Sequence, residues 1–206
     1  MTTHSHDHDH SHDAIEALDT SNSDTALVAD ALRLMLIEKG IFSALDIQNQ
    51  LELMETRSDR NGASMIARAW LDPAYKQAML KNGTQAALDQ GFDTKGTPLV
   101  VLENTEDVHN VIVCTLCSCY PVTLLGPSPE WYKSTAYRGR VVRDPRSVLA
   151  EFGTEISNAR EVRVHDSTAD MRYMIMPKRP KGTEVMSEAD LAAMITRNGL
   201  IGVAEL

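Results

Sequence analysis

Apolar residues recur at helical spacing early in the chain. Leu27, Val28, Ala31, Leu32, Leu34, Met35 and Ile37 share that period, Ser23 or Asp24 can cap the start, and Gly40 follows the last turn. Ser43 with Asp46 forms a capping-box pattern and predicts a second helix through Leu51 and Met54. A third helix is predicted from about Ala63 to Trp70. Asp72 then Pro73 pairs a cap with the favoured first-turn proline, and Gly83 is expected to close that fourth helix. After Gly91 the period changes. Pro98 to Glu103 (PLVVLE) and Val108 to Val113 (VHNVIV) are β-branched runs, and Glu161 to Val164 and Arg172 to Met176 predict two more strands. Among these, Ser128, Pro129 and Glu130 open a helix carrying Trp131 and Tyr132. Asp144-Pro145 opens another that Gly153 ends. Ser187 with Asp190 caps a last one before a short apolar end, Leu200 to Val203.

The pattern divides the chain into a helical arm over 23–90 and an α+β part over 91–206. A string of short helices has little material to cover its own Leu and Met stripe, so burial of the arm against another subunit is expected.

Composition narrows the function classes. The 206 residues fit one domain with an arm, and no apolar run approaches the ~18 residues that span a bilayer. With 20 Lys and Arg against 29 Asp and Glu, the formal charge is -9 and no basic cluster tracks phosphates. Neither nucleic acid nor a membrane is an expected partner. Met1 to Asp13 reads MTTHSHDHDHSHD, which lacks a secretory signal pattern, so a cytoplasmic location is expected. Residues 1–22 read as a disordered tail rich in His and Asp. Its alternating imidazoles can capture divalent metal loosely, or their affinity is incidental.

The three cysteines, Cys114, Cys117 and Cys119, lie within six residues directly after a predicted strand. A structural zinc site wants a second ligand pair, and neither His109 nor His165 is suitably spaced. A thioredoxin-like pair of Cys114 and Cys117 would leave Cys119 surplus. Bond counting offers a sharper arrangement. A metal on the Cys117 sulfur, the Ser118 and Cys119 amide nitrogens and the Cys119 sulfur closes comfortable chelate rings of six, five and five members. Cys114 can then reach an axial position, leaving the opposite face open. Deprotonated amides and soft thiolates together favour a trivalent late transition metal, cobalt(III) or iron(III). Three thiolates and two amide anions around such an ion leave about -2, which calls for cationic donors nearby. Tyr120, Trp131, Tyr132 and Tyr137 follow closely, a concentration that points to a walled pocket or to ordinary core.

The run from Val113 to Pro121, VCTLCSCYP, resembles the metal-binding motif of nitrile hydratase α subunits. The likeness continues through Ala69 to Pro73, Glu103 to Thr105, Asn110 to Val113, Pro129 to Lys133, Arg172 to Met174, Arg179 to Glu184 and Leu200 to Gly202. It implies a helical N-terminal arm followed by a layered α-β-β-α domain, in an enzyme that hydrates nitriles to amides. The implied assembly is αβ or α2β2 with a β subunit, with an activator or metal-delivery protein as a further partner. The implied cofactor is one Co(III) per α subunit, with Fe(III) the alternative; Thr115 and Tyr120 resemble the cobalt type. The implied metal ligands are Cys114, Cys117, Ser118 and Cys119, with Cys117 oxidised to sulfinate and Cys119 to sulfenate. The implied catalytic groups are Cys119, through its sulfenate oxygen, and Ser118, through its amide and hydroxyl. The charge-balancing arginines would come from the β subunit, leaving Arg172 a structural role.

One departure stands out. The family commonly has tryptophan after the Tyr-Pro pair, where this chain has Val122, and Gly126 to Pro129 also differs from the usual stretch. A missing indole reshapes the substrate pocket. It also keeps open the related thiocyanate hydrolase, whose γ subunit resembles this chain and whose products are carbonyl sulfide and ammonia. A noncatalytic metal-binding or redox-sensing subunit is the rival from another class.

Overall fold

The computed structural model describes residues 23–55 and 57–206, so the expectations for the tail lie outside the described residues. Helix α1 (Ser23–Glu38) stops at Gly40, whose φ of 67° lets the amides of Gly40 and Ile41 turn back onto the carbonyls of Ile37 and Leu36. Helix α2 (Ala44–Glu55) starts with the expected reciprocal cap. The Asp46 amide donates to Ser43 Oγ at 3.1 Å and the Ser43 amide donates to Asp46 Oδ2 at 2.7 Å. Both helices leave large apolar side chains in solvent, Leu27, Leu34 and Leu45 each more than half exposed.

Helices α3 (Asp59–Leu71), α4 (Pro73–Lys81) and α5 (Gly83–Asp89) instead bury their apolar side chains in a core shared with the strands. α3 begins earlier than the apolar period suggested, because Ser58 caps it by accepting from the Arg60 amide. Asp72 ends α3 and caps α4, its Oδ1 accepting from Ala74 and Tyr75. Gly83 does not close α4. Asn82 separates the two helices by accepting from the Gln85 amide, and Gly83 opens α5 where a Cβ would lie 2.8 Å from the Leu99 carbonyl oxygen. The glycine answers a close approach, not a helix stop.

Strand β1 (Leu99–Glu103) pairs in parallel with β4 (Arg172–Met176), and β2 (Val108–Val113) pairs in parallel with β3 (Glu161–Asp166). Parallel pairing demands long crossovers. The one from β2 to β3 carries α6 (Val122–Leu125), α7 (Glu130–Lys133), α8 (Thr135–Arg143) and α9 (Pro145–Glu151). α8 escaped the sequence pattern because only Tyr137 and Val141 face the core, amid Arg138, Gly139, Arg140 and Arg143. After β4 come α10 (Glu188–Met194), capped by Ser187, and α11 (Arg197–Ile201), which gives the apolar end a helical form.

α4 and α5 cover β1 and α11 covers β4. The β1–β4 sheet backs onto β2, and α9 covers β3. The order is α-β-β-α, as expected. Ile66, Met79, Ile112, Leu149 and Met174 are fully buried between the layers, each side chain stabilising the fold by about 1.5–3 kcal/mol through burial. No helix among the described residues is long and apolar enough to cross a membrane.

Candidate metal centre

β2 is buried from His109 onward, and its last residue, Val113, hands the chain directly to Cys114. The cysteine loop therefore starts from a rigid platform. The Cys114 and Cys117 sulfurs are 3.4 Å apart, and those of Cys117 and Cys119 are 3.3 Å apart. All three lie within 4.8 Å of one another. Cys114 is buried, Cys119 half-buried and Cys117 exposed. The Cys117 amide donates to the Cys114 sulfur at 3.3 Å.

The Cys119 and Cys114 thiols, then the amides of Ser118 and Cys119, face the Cys117 sulfur and hold its pKa down to about 7. Burial first, then the neighbouring thiols, pushes Cys119 up to about 12. One thiolate is thus favoured in the cluster, and it sits where the two amides converge. Ser118 lies between the paired sulfurs. Three soft sulfur donors beside two amide nitrogens are a set that would suit a trivalent cobalt or iron, for which it would supply thiolate and amide ligation.

Several groups outside the expected ligand set pin this loop. Asp166 ends β3 in register with Val113, and its carboxylate accepts from the Thr115 amide at 2.9 Å and the Thr115 hydroxyl at 2.5 Å. The Ser167 amide donates to the Val113 carbonyl at 2.7 Å. Tyr132 donates its hydroxyl to the Cys119 carbonyl at 3.0 Å, and Tyr137 donates to that of Ile112 at 2.7 Å. Extending the β3 run by two residues would have brought Asp166 opposite the cysteine loop. Nothing in sequence spacing marks the tyrosines as braces.

The aromatic concentration is therefore core more than pocket wall. Tyr132 and Tyr137 are fully buried, and Trp131 packs edge-on against Tyr137 and Phe152 with ring centres 4.9 and 4.7 Å apart. Burial pushes both tyrosine hydroxyls above their ordinary range, so they remain donors. Tyr120 lines a cleft. The two histidines are committed elsewhere. His109 donates from Nε2 to the Gly202 carbonyl at 2.7 Å and its Nδ1 faces the Asn104 side-chain amide, while His165 Nε2 donates to Asn110 Oδ1 at 2.8 Å. Burial lowers the pKa of both.

Arg172 donates to the carbonyls of Thr168 and Met171, and its charge works against the rise at Cys119. Val122 begins α6 on the wall of a cleft beside the loop.

Comparison with known proteins agrees with this geometry. The family model described as nitrile hydratase, alpha chain, matches residues 23–204. The low-molecular weight cobalt-containing nitrile hydratase subunit alpha of Rhodococcus rhodochrous is 46% identical over 189 residues, covering 91% of each chain. The thiocyanate hydrolase subunit gamma of Thiobacillus thioparus is 44% identical over 194 residues, covering 88% of this chain and 80% of that one. Among solved structures, a double mutant of the Fe-type nitrile hydratase from Comamonas testosteroni Ni1 aligns with a TM-score of 0.86 at 43% identity, over 91% of this chain and 92% of that one. A three-cysteine loop at the end of β2, in a fold shared from the first described helix to the last, leads to one conclusion: the chain is an enzyme subunit that belongs to the nitrile hydratase alpha-chain family.

Proposed function

We propose that the chain hydrates nitriles to amides as the α subunit of a cobalt enzyme. The ligands are the sulfurs of Cys114, Cys117 and Cys119 and the amide nitrogens of Ser118 and Cys119. The observation that carries this reading is the convergence of three sulfurs within 4.8 Å on a loop whose amides face the same point. Cobalt is favoured over iron by Thr115 and Tyr120 and by the cobalt-containing relative; the Fe-type structural neighbour keeps iron(III) as the alternative.

When bound, the trivalent ion supplies Lewis acidity toward the nitrile. Cys119, oxidised to sulfenate, directs its oxygen at the nitrile carbon, and Cys117 is held as sulfinate. Ser118 orients water through its hydroxyl. Water adds across the carbon–nitrogen triple bond, oxygen ending on carbon and both protons on nitrogen, with no net redox change. A β subunit completes the site and supplies the cations that balance its charge. The exposed apolar side chains of the arm, and Leu116 at 86% exposure on the cysteine loop, support a face that a partner covers.

The test is co-purification with the β subunit. Stoichiometric cobalt, three added oxygens in the peptide containing Val113 to Tyr120, and amide formation are expected. Zinc on unmodified thiols would replace this reading with that of a metal-binding or redox-sensing subunit. Likeness to the thiocyanate hydrolase γ subunit and the small Val122 favour a second reading, in which thiocyanate and two waters give carbonyl sulfide, ammonia and hydroxide.

A further inference from the structure

A cleft of about 110 Å3 opens where the cysteine loop continues into α6. Tyr120, Val122 and Leu124 line it together with Thr94, Lys95 and Arg172. No aspartate or glutamate is among its described lining residues, although the chain as a whole carries -9. A second hollow of about 360 Å3 shares Lys95 and Thr123 with the first, so Lys95 stands on the ridge between them.

The backbone that presents Lys95 is unusual. Lys95 is the only non-glycine residue with positive φ among the described residues, at 55°, and Gly96 follows at 71°. The Thr97 amide closes this turn onto the Thr94 carbonyl at 3.1 Å, and Asp93 Oδ1 accepts the Lys95 amide at 2.7 Å. Two successive left-handed residues favour Asn-Gly, and a lysine in the first place is held at a cost. Its ammonium meets Asp93 Oδ2 at 3.0 Å, but the side chain is half exposed and keeps donors to spare. A neutral group has no use for two cations in one cleft, whereas an anion would pair with them as it leaves water.

We propose that this cleft, which shares Arg172 with the surroundings of Cys119, seats an anionic group of the substrate, and that Lys95 together with Arg172 selects nitriles carrying a carboxylate a few atoms from the cyano carbon. The inference rests on the reading of the cysteine loop as a nitrile-hydrating centre and names the substrate class for it. Lys95 is a specificity residue here, distinct from the groups that hold the metal.

The experiment uses the cobalt-loaded complex with its partner subunit and compares 3-cyanopropanoate with the neutral 3-cyanopropanamide. The ratio of their kcat/KM values should exceed one and shrink as ionic strength rises. Lys95→Asn, which suits the left-handed turn and leaves Tm unchanged or raised, should lower the ratio about tenfold. Lys95→Arg should restore it. A ratio at or below one, or a ratio indifferent to Lys95→Asn, overturns the inference and leaves the hydratase reading standing. Turnover of thiocyanate alone would keep the anion-selective cleft but replace the hydratase reading. No turnover of any of the three substrates removes both.

Discussion

Replacing Gly202 with alanine tests how β2, and with it the cysteine loop, is fixed against the end of the chain. Gly202 closes α11 at φ 91°, and a Cβ there would lie 2.1 Å from the Asn110 carbonyl oxygen and 2.9 Å from Val111 Cα. Both contacts are backbone of β2, a few residues before Cys114. The left-handed conformation costs alanine about 1–2 kcal/mol, and pushing a buried strand aside adds about 1–3 kcal/mol. The perturbation also reaches the bond from His109 Nε2 to the Gly202 carbonyl. A loss of about 2–5 kcal/mol in all corresponds to a fall in Tm of roughly 4–20 °C for a chain of this size. Gly153 supplies the control, with φ 79° and nothing within 4 Å of its would-be Cβ. Gly153→Ala should cost only the conformational part, about 1–2 kcal/mol. Thermal unfolding of the two variants, with cobalt content of the purified complex, separates close approach from backbone conformation. Equal falls in Tm, or full cobalt retention by Gly202→Ala, would refute the argument that α11 sets the position of β2.

Other consequences follow from the site and its supports. Cys119→Ala should abolish amide formation and weaken metal retention, and a fully active variant would sink the proposed ligand set. Asp166→Ala removes the two bonds from Thr115 to this carboxylate, and should lower cobalt occupancy and shift the visible absorption of the centre while leaving far-UV circular dichroism intact. Unchanged occupancy and spectrum would deny Asp166 a positioning role. Burial holds His109 below the ordinary histidine range. The unfolded chain then binds more protons than the folded one once pH falls below about 6.5, so stability declines in that direction by at most about 1.4 kcal/mol per pH unit for this histidine. Urea midpoints at pH 7 and pH 5.5 check this, and a flat response would count against it.

The order of elements was legible because the signals were local. Ser43 with Asp46, Asp72 with Pro73, Ser187 with Asp190 and the β-branched runs each fix their own few residues. The cysteine cluster was legible for the same reason, since the spacing of Cys114, Cys117 and Cys119 alone keeps their sulfurs within reach of one another. Signals failed where the reason for a residue lay far along the chain. Gly83 looks like a helix stop until Leu99 is found against it, and α8 has too thin an apolar stripe to announce itself before Tyr137 meets β2.

What the sequence determined by itself is the cysteine cluster, the period of most elements and the family likeness, because each follows from neighbours bonded within a few residues. What only the tertiary structure decided is how the cysteines are held and what stands beside them: Asp166 brought opposite Thr115 by parallel pairing, Tyr132 folded back onto the Cys119 carbonyl, and Lys95 and Arg172 gathered at one cleft where the chain enters the parallel strands β1 and β4. Chelation is a short-range property of the chain. The braces and the charge around it depend on which distant segments the burial of apolar surface drives together.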